Sequence, residues 1–394
     1  MADRGLYTVS ALVYYDLTFS LIEYCSMRDS RLQVAIDNWA PRFVANGVDI
    51  NDFQRITASL ESWDGWCAAW SIEGEAHAEM GEQAALEGFD LSAAQHFWQS
   101  AMMYHFGKFM FFHRPAEYRA AHHSTVQRYD QGLPYQPYQA ERVEIPYQGG
   151  SPIAGILRRP ETGRAPVVVL IPGLDSVKEE LHAYGDDFLK RGIAVLAIDG
   201  PGQGELEFEH AMRPDWEVPL GSIIDYIETR SDLDGSRIGA MGVSVGGHYA
   251  ARAAAFEYRL SAVITNCTGY NLAERFDQLP ILTREAFVHK LKARDESDAK
   301  LLLRDFHLHG LMKRVRCPLL VIMGGRDRLF PAENAERMVS EAPRARLLML
   351  PDGNHVCNNV PYKHRPQQAD WMAAQLGSVR PGIKVEKEER VRAG

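Results

Sequence analysis

Apolar positions along this chain recur at two different periods, and the change falls near residue 140. Over residues 90–112, Ala94, Phe97, Trp98, Ala101, Tyr104, Phe109 and Phe112 return every three or four positions, the spacing that gathers them on one face of a helix. Asp90, just ahead of Leu91, is placed to cap it. Residues 33–46, 52–70 and 73–87 read as three further helices, with Gly47 and Gly88 as stops, because glycine accepts the left-handed backbone that ends a helix. Everything up to about residue 135 is therefore expected to be helical. Pro134 and Pro137 interrupt the pattern over 131–138, which reads as a connector.

Beyond residue 140 the period shortens. Residues 142–146 and 153–158 flank Gln148-Gly149-Gly150, a hairpin signal. Short, continuously apolar runs follow at 167–171, 194–198, 238–242, 260–265, 319–323 and 346–350, separated by helical stretches. Such runs suit strands buried on both faces, hence an α/β fold with a mainly parallel sheet and helices on both sides. The pattern divides the chain into a helical domain at 1–138, an α/β domain at 139–379 and a charged tail at 380–394, the last expected to fray.

Composition then removes whole classes of function. With 46% hydrophobic and 24% charged residues, the 394-residue chain has the make-up of a globular protein. Its net charge of −9, with no local basic patch, argues against a nucleic-acid partner. Five scattered cysteines (Cys25, Cys67, Cys267, Cys317, Cys357) form no CxxC pair, which speaks against a disulfide framework and a zinc site. The most apolar run is about half the ~20 residues a membrane helix needs, and Asp16 and Glu23 interrupt any signal peptide. A cytoplasmic protein without a membrane partner is expected.

Candidate chemistry sits at the ends of the expected strands. Gly242-Val243-Ser244-Val245-Gly246 falls between a strand and a helix, where small residues permit the sharp turn that lifts a serine hydroxyl clear of the sheet. The Val245 N–H then lies at a helix N-terminus, ready to donate to a developing oxyanion. A serine hydroxyl is a poor nucleophile until a base takes its proton, and the base needs an orienting acid. Asp327 and His355 each follow the carboxyl end of a later strand, the edge where open parallel sheets build their sites. Asp277 and Glu274 compete with Asp327 for the acid role, whereas Asp352 is too near His355 in sequence to reach the far ring nitrogen. A second oxyanion donor is expected from Ile171-Pro172-Gly173-Leu174-Asp175-Ser176, where Gly173 permits close approach and the Leu174 N–H points to the oxyanion.

Other motifs carry less. Asp199-Gly200-Pro201-Gly202-Gln203-Gly204-Glu205 matches neither phosphate-binding pattern and reads as a scaffolding loop. His307 and His309 lack the further ligands of a metal site. Asn266-Cys267-Thr268 is a formal glycosylation acceptor at a strand end, and is set aside. No metal or organic cofactor is implied.

With these residues placed, residues 140–377 resemble an α/β-hydrolase. Pro172-Gly173-Leu174-Asp175-Ser176 with Lys178-Glu179-Glu180, Asp199-Gly200-Pro201-Gly202-Gln203-Gly204-Glu205, Gly246-Gly247-His248-Tyr249-Ala250 and Asp352-Gly353-Asn354-His355 narrow the likeness. They resemble the subgroup that contains 2,6-dihydroxypseudooxynicotine hydrolase, fungal polyketide-shortening hydrolases and FrsA-like proteins. The resemblance implies a helical lid over the catalytic edge, a homodimer, and hydrolysis of a C–C bond next to a carbonyl in a 1,3-diketone or a polyketide-like or aromatic ketone. It also places Glu274 near an extra carboxylate of some members, although Arg275 beside it allows a structural ion pair instead. Trp98, Tyr104, His105, Phe109 and Phe112 are the candidate lid residues. A carboxylesterase or lactonase would use the same triad, and a non-catalytic binding protein is the third reading.

Overall fold

A computed structural model describes residues 29–148, 150–161 and 163–377; Cys25 and the charged tail from Arg380 lie outside them. Among the described residues five helices precede the sheet: α1 (Ser30–Ala45), α2 (Ile50–Ala58), α3 (Trp66–Leu86), α4 (Asp90–Lys108) and α5 (Pro115–Gly132). Pro115 opens α5 at the first turn, where its missing N–H costs nothing. Asp29 starts α1 by accepting from the Arg31 N–H at 2.8 Å, and its second oxygen takes the Trp63 N–H at 3.1 Å.

That second bond marks a departure from the apolar pattern. The continuous helix expected over 52–70 ends at Ala58, a 3-10 turn occupies Trp63–Gly65, and α3 then runs unbroken through Ser71 and Ile72. Tertiary packing sets the break. Trp63, Trp66 and Trp70 all face a core that includes Phe43 and Phe106, and the Trp66 indole donates to Phe106 O at 2.8 Å. Asp90, expected to cap α4, is instead its first residue; the cap position is held by Phe89, with no side-chain capping bond.

The second half folds as expected into an eight-stranded sheet ordered β1-β2-β4-β3-β5-β6-β7-β8. Its strands are β1 (Gln139–Ile145), β2 (Ile153–Arg159), β3 (Ala165–Ile171), β4 (Ala194–Asp199), β5 (Leu233–Val243), β6 (Leu260–Asn266), β7 (Leu319–Gly324) and β8 (Ala345–Leu350). β1 pairs antiparallel with β2, with Ile145 opposite Ile153, and β2 pairs antiparallel with β4; the other neighbours are parallel. Every position of β3, β4 and β7 is buried, which explains their unbroken apolar runs. Seven helices accompany the sheet: α6 (His182–Leu189), α7 (Glu217–Thr229), α8 (Val245–Ala254), α9 (Ile281–Lys290), α10 (Glu296–Leu302), α11 (Glu333–Glu341) and α12 (Pro361–Gln375).

β3 stands between β4 and β5, so the chain leaves it in one direction along the sheet and later returns on the other side. A crevice opens at such a switch, beyond the carboxyl ends of the strands. The helical region packs over it, and Ile156 and Leu282 from the α/β region join its aromatic core. Among the described residues no helix is long and apolar enough to cross a membrane.

Candidate active site

The turn after β5 is built by close approach. A Cβ on Gly242 would collide with Gly246 O, and one on Gly246 would collide with the carbonyls of Ile171 and Pro172 at the end of β3. Only glycine fits in either place. Ser244 between them has φ 56° and ψ −120°, a conformation that L-residues rarely adopt. This backbone holds the hydroxyl out over the sheet edge, and α8 begins at the next residue.

Ser244 Oγ lies 3.0 Å from His355 Nε2, and His355 Nδ1 lies 2.8 Å from Asp327 Oδ2. A carboxylate only accepts, so the proton belongs on Nδ1, and Nε2 is left to accept from the serine hydroxyl. Asp327 Oδ1 accepts from the N–H groups of Leu329 and Phe330 at 2.8 and 3.1 Å, which fixes the carboxylate. Its side chain is almost wholly buried, while the His355 ring is partly open to the cavity. The geometry thus brings together three residues separated by 111 and 28 positions. The competitors lie elsewhere. Asp277 is exposed and ion-paired to Lys300; Asp352 pairs with Lys363 at 2.5 Å; Glu274 is exposed and accepts from Asn271 at 3.2 Å, and it does not line the cavity.

Gly173 and Leu174 line the same cavity as Ser244 and Val245. Val245 is the first residue of α8, so its N–H has no partner within the helix. The loop after β3 is braced by Gln203, whose side-chain amide donates to Pro172 O at 2.5 Å and Gly173 O at 3.2 Å. Lys178 adds a second brace: its backbone N–H and its ammonium both reach Asp199, at 2.9 and 3.0 Å. The glycine-rich run at 199–205 is therefore a support for this loop, in keeping with its reading as scaffold.

The cavity, about 720 Å³, is walled by both regions. Trp39, Arg42, Phe109 and Met110 come from the helical side; Tyr184, Phe287 and Phe330 come from the α/β side. Of the five candidate lid residues only Phe109 lines it. Trp98 stacks on His182, Tyr104 donates to Glu75, Phe112 stacks on His289, and His105 is fully buried against Glu180 at 3.1 Å. The sequence pattern did not single out Arg42. Its signal was a charged residue in the register of Ala35, Trp39 and Asn46, on the inner face of α1.

Arg42 anchors a charged cluster. Its Nε donates to Glu180 Oε1 at 2.7 Å, Nη1 to Asp175 at 2.7 Å, and Nη2 to Ser176 Oγ at 2.9 Å and Glu180 Oε2 at 2.8 Å. Burial alone pushes the Glu180 carboxyl up, but the guanidinium beside it and the bonds from Arg42 and His105 hold it well below the usual range. Burial pushes the His105 ring down, so it stands neutral near pH 7. A second buried group, Lys108 on α4, has its ammonium 3.4 Å from Tyr118 Oη and over the Tyr118 ring, beside the Glu207–Lys290 ion pair. Burial lowers it to about 8.

Among the described residues three clusters bring metal-ligating atoms together, and two already hold a cation of the chain. Lys178 sits among Glu179, Asp199 and Glu205 at 2.6 to 3.0 Å, and Arg55 binds both Asp52 and Glu73 beside His77. The third is Cys267 with Asp327 and His355. The rings of His307 and His309 lie 4.9 Å apart between centroids with their planes tilted by 42°, and they belong to no such cluster among the described residues. Asn266 is buried and donates to Val356 O at 3.2 Å.

Known proteins are similar to this chain in sequence and in fold. The 2,6-dihydropseudooxynicotine hydrolase of Paenarthrobacter nicotinovorans is 29% identical over 347 residues, covering 85% of this chain and 90% of that one. The crystal structure of the 2,6-dihydroxy-pseudo-oxynicotine hydrolase superposes with a TM-score of 0.79 at 27% identity, over 88% of this chain and 99% of that one. The α/β-hydrolase pydG of an Acremonium species is 29% identical over 226 residues, about half of each chain. A family model described as FrsA-like esterase matches residues 63–377. That match takes in α3, α4 and α5 as well as the whole sheet, and the chain accordingly belongs to the FrsA-like esterase family of α/β-hydrolases.

Proposed function

We propose that the chain is a serine hydrolase that cleaves a C–C bond next to a carbonyl, in a 1,3-diketone or a polyketide-like or aromatic ketone. The observation that carries this reading is the bonded series Asp327–His355–Ser244 opening onto a cavity with aromatic walls from both regions. Ser244 Oγ attacks one carbonyl while His355 Nε2 takes its proton, and Asp327 stabilises the imidazolium that results. The oxyanion accepts from the Leu174 and Val245 N–H groups. The C–C bond then breaks, its electron pair leaves as an enolate, and the enolate carbon takes the proton back from His355. Water, deprotonated by His355, attacks the acyl-serine and releases a carboxylic acid. Glu274 stays outside this scheme because it faces solvent beside Asn271.

In this reading residues 1–138 serve as a cap over a catalytic domain at 139–379, in a cytoplasmic homodimer. The four described cysteines are thiols, which suits a reducing compartment. The family description favours a second reading, a carboxylesterase or lactonase with the same three residues.

The test uses an aryl 1,3-diketone and the ester with the same acyl and aryl groups, each offered to wild type and Ser244→Ala. Diketone turnover that falls by about 10⁴-fold or more in the variant is the expected result. Serine-dependent turnover of the ester alone moves the assignment to the esterase reading. No turnover of either compound points to a non-catalytic binding protein.

A further inference from the structure

The two oxyanion donors are held in different ways. Val245 stands at the start of α8, in a backbone locked by glycine contacts on both sides. Leu174 sits in a loop whose residues 172–176 make no backbone-to-backbone hydrogen bond among the described residues. Side chains hold that loop instead. Gln203 grips its first two carbonyls from the α/β region, and Arg42, from the helical region, grips its far end.

We propose that Arg42 is a positioning residue that sets the Leu174 N–H for the reaction, so that the helical region completes the oxyanion site as well as roofing it. The inference rests on the serine-hydrolase reading. Its ground is the fork of the guanidinium. One edge holds Asp175, directly after Leu174; the other holds Glu180, where the loop has entered its 3-10 turn; Ser176 Oγ bridges them, accepting from Arg42 and donating to Glu180 at 2.7 Å. A planar, five-donor group spans these sites at once, and an ammonium does not.

Arg42 is itself held in place. Its guanidinium lies 4.5 Å from the Phe109 ring centroid. Asn46, one helical turn on, donates to Glu180 at 2.8 Å, and Arg365 of α12 donates to Ala45 O and Asn46 Oδ1 at 2.7 and 2.8 Å. Glu180 is buried among these groups, an arrangement that is costly unless every charge is paired. The loop therefore has one low-energy place, defined from outside the sheet.

A group that positions an oxyanion donor affects the transition state more than substrate binding. Two readouts separate this from ordinary packing: steady-state hydrolysis of 4-nitrophenyl acetate, whose acetyl group is too small to need the cavity wall, and the rate at which a fluorophosphonate labels the serine. The variants are Arg42→Lys and Asp175→Ala. The second leaves the Arg42–Glu180 pair intact and so keeps the buried charges matched if the first misfolds.

The expected result in both is a kcat lower by about 10- to 100-fold, a KM within about threefold of wild type, and slower labelling by a similar factor. A kcat and labelling rate within about twofold of wild type, in a folded variant of either kind, overturns the proposal. A raised KM with kcat unchanged overturns it as well, because it assigns Arg42 to binding. Ser244→Ala separates the two levels: labelling that survives in that variant removes the serine-hydrolase reading itself, whereas labelling that disappears there but is normal in the Arg42 and Asp175 variants removes only this inference.

Discussion

The α/β region and the helical region contribute to one cavity by different means. In the first, backbone conformation does the placing. Ser244, Cys267, Val356 and Cys357 all have positive φ, and they stand at or just beyond the ends of β5, β6 and β8, around the Ser244–His355 contact. Each is an unfavourable conformation for a residue with a Cβ, held because the strands and glycine contacts allow no other. In the helical region regular helices carry side chains inward, and the work is done by rings and charges: Phe43 against Phe106, Trp66 and Trp70, and Arg42 against Glu180. The difference teaches where each region is vulnerable. The catalytic edge depends on a few chemical groups in fixed places, and the roof depends on packing.

Asp327→Asn probes the first half of that contrast and carries the largest expected effect. The amide keeps an oxygen for the Leu329 and Phe330 N–H groups but turns an NH₂ toward His355, which forces the wrong tautomer. Turnover should fall by about 10³- to 10⁴-fold with the melting temperature close to wild type. Near-normal turnover would assign the acid to another residue.

Phe43→Ala probes the second half. Phe43 is fully buried and stacks on Phe106 with ring centroids 3.8 Å apart. Truncation should cost about 3 to 5 kcal/mol, read by urea unfolding. A loss under about 1 kcal/mol would mean that the ring cluster is not what holds the roof.

Lys108 gives the smallest and most selective signal. Its folded-state value of about 8 lies below the ordinary 10.5. Between those two values the unfolded chain binds more protons than the folded one, so this lysine makes stability rise with pH across that window and contributes no slope below it. The urea midpoint of wild type should therefore rise relative to that of Lys108→Met from pH 8 to 10.5. Parallel curves would remove the buried ammonium from the account.

The same contrast explains what the sequence disclosed. Buried parallel strands write themselves as unbroken apolar runs, and a turn as tight as that at Ser244 needs neighbouring small residues, so both leave local marks. Asp327 and His355 were legible because they follow such runs directly. Arg42 was not, since its partners Asp175 and Glu180 lie 133 and 138 positions away and no spacing rule links them. The break at 59–65 was hidden for a related reason: Trp63 and Trp66 keep an apolar spacing that a continuous helix would also show, and the bond from Trp63 to Asp29 decides between the two.

The aromatic roof has an optical consequence. Trp39, Trp63, Trp66, Trp70 and Trp98 lie in the helical region, against only Trp216 and Trp371 elsewhere. Trp39 borders the cavity and touches Phe109 edge-on, with ring centroids 4.6 Å apart. Intrinsic emission from this protein is thus weighted toward the roof, and a flat conjugated molecule entering the cavity announces itself by quenching Trp39, with no label attached.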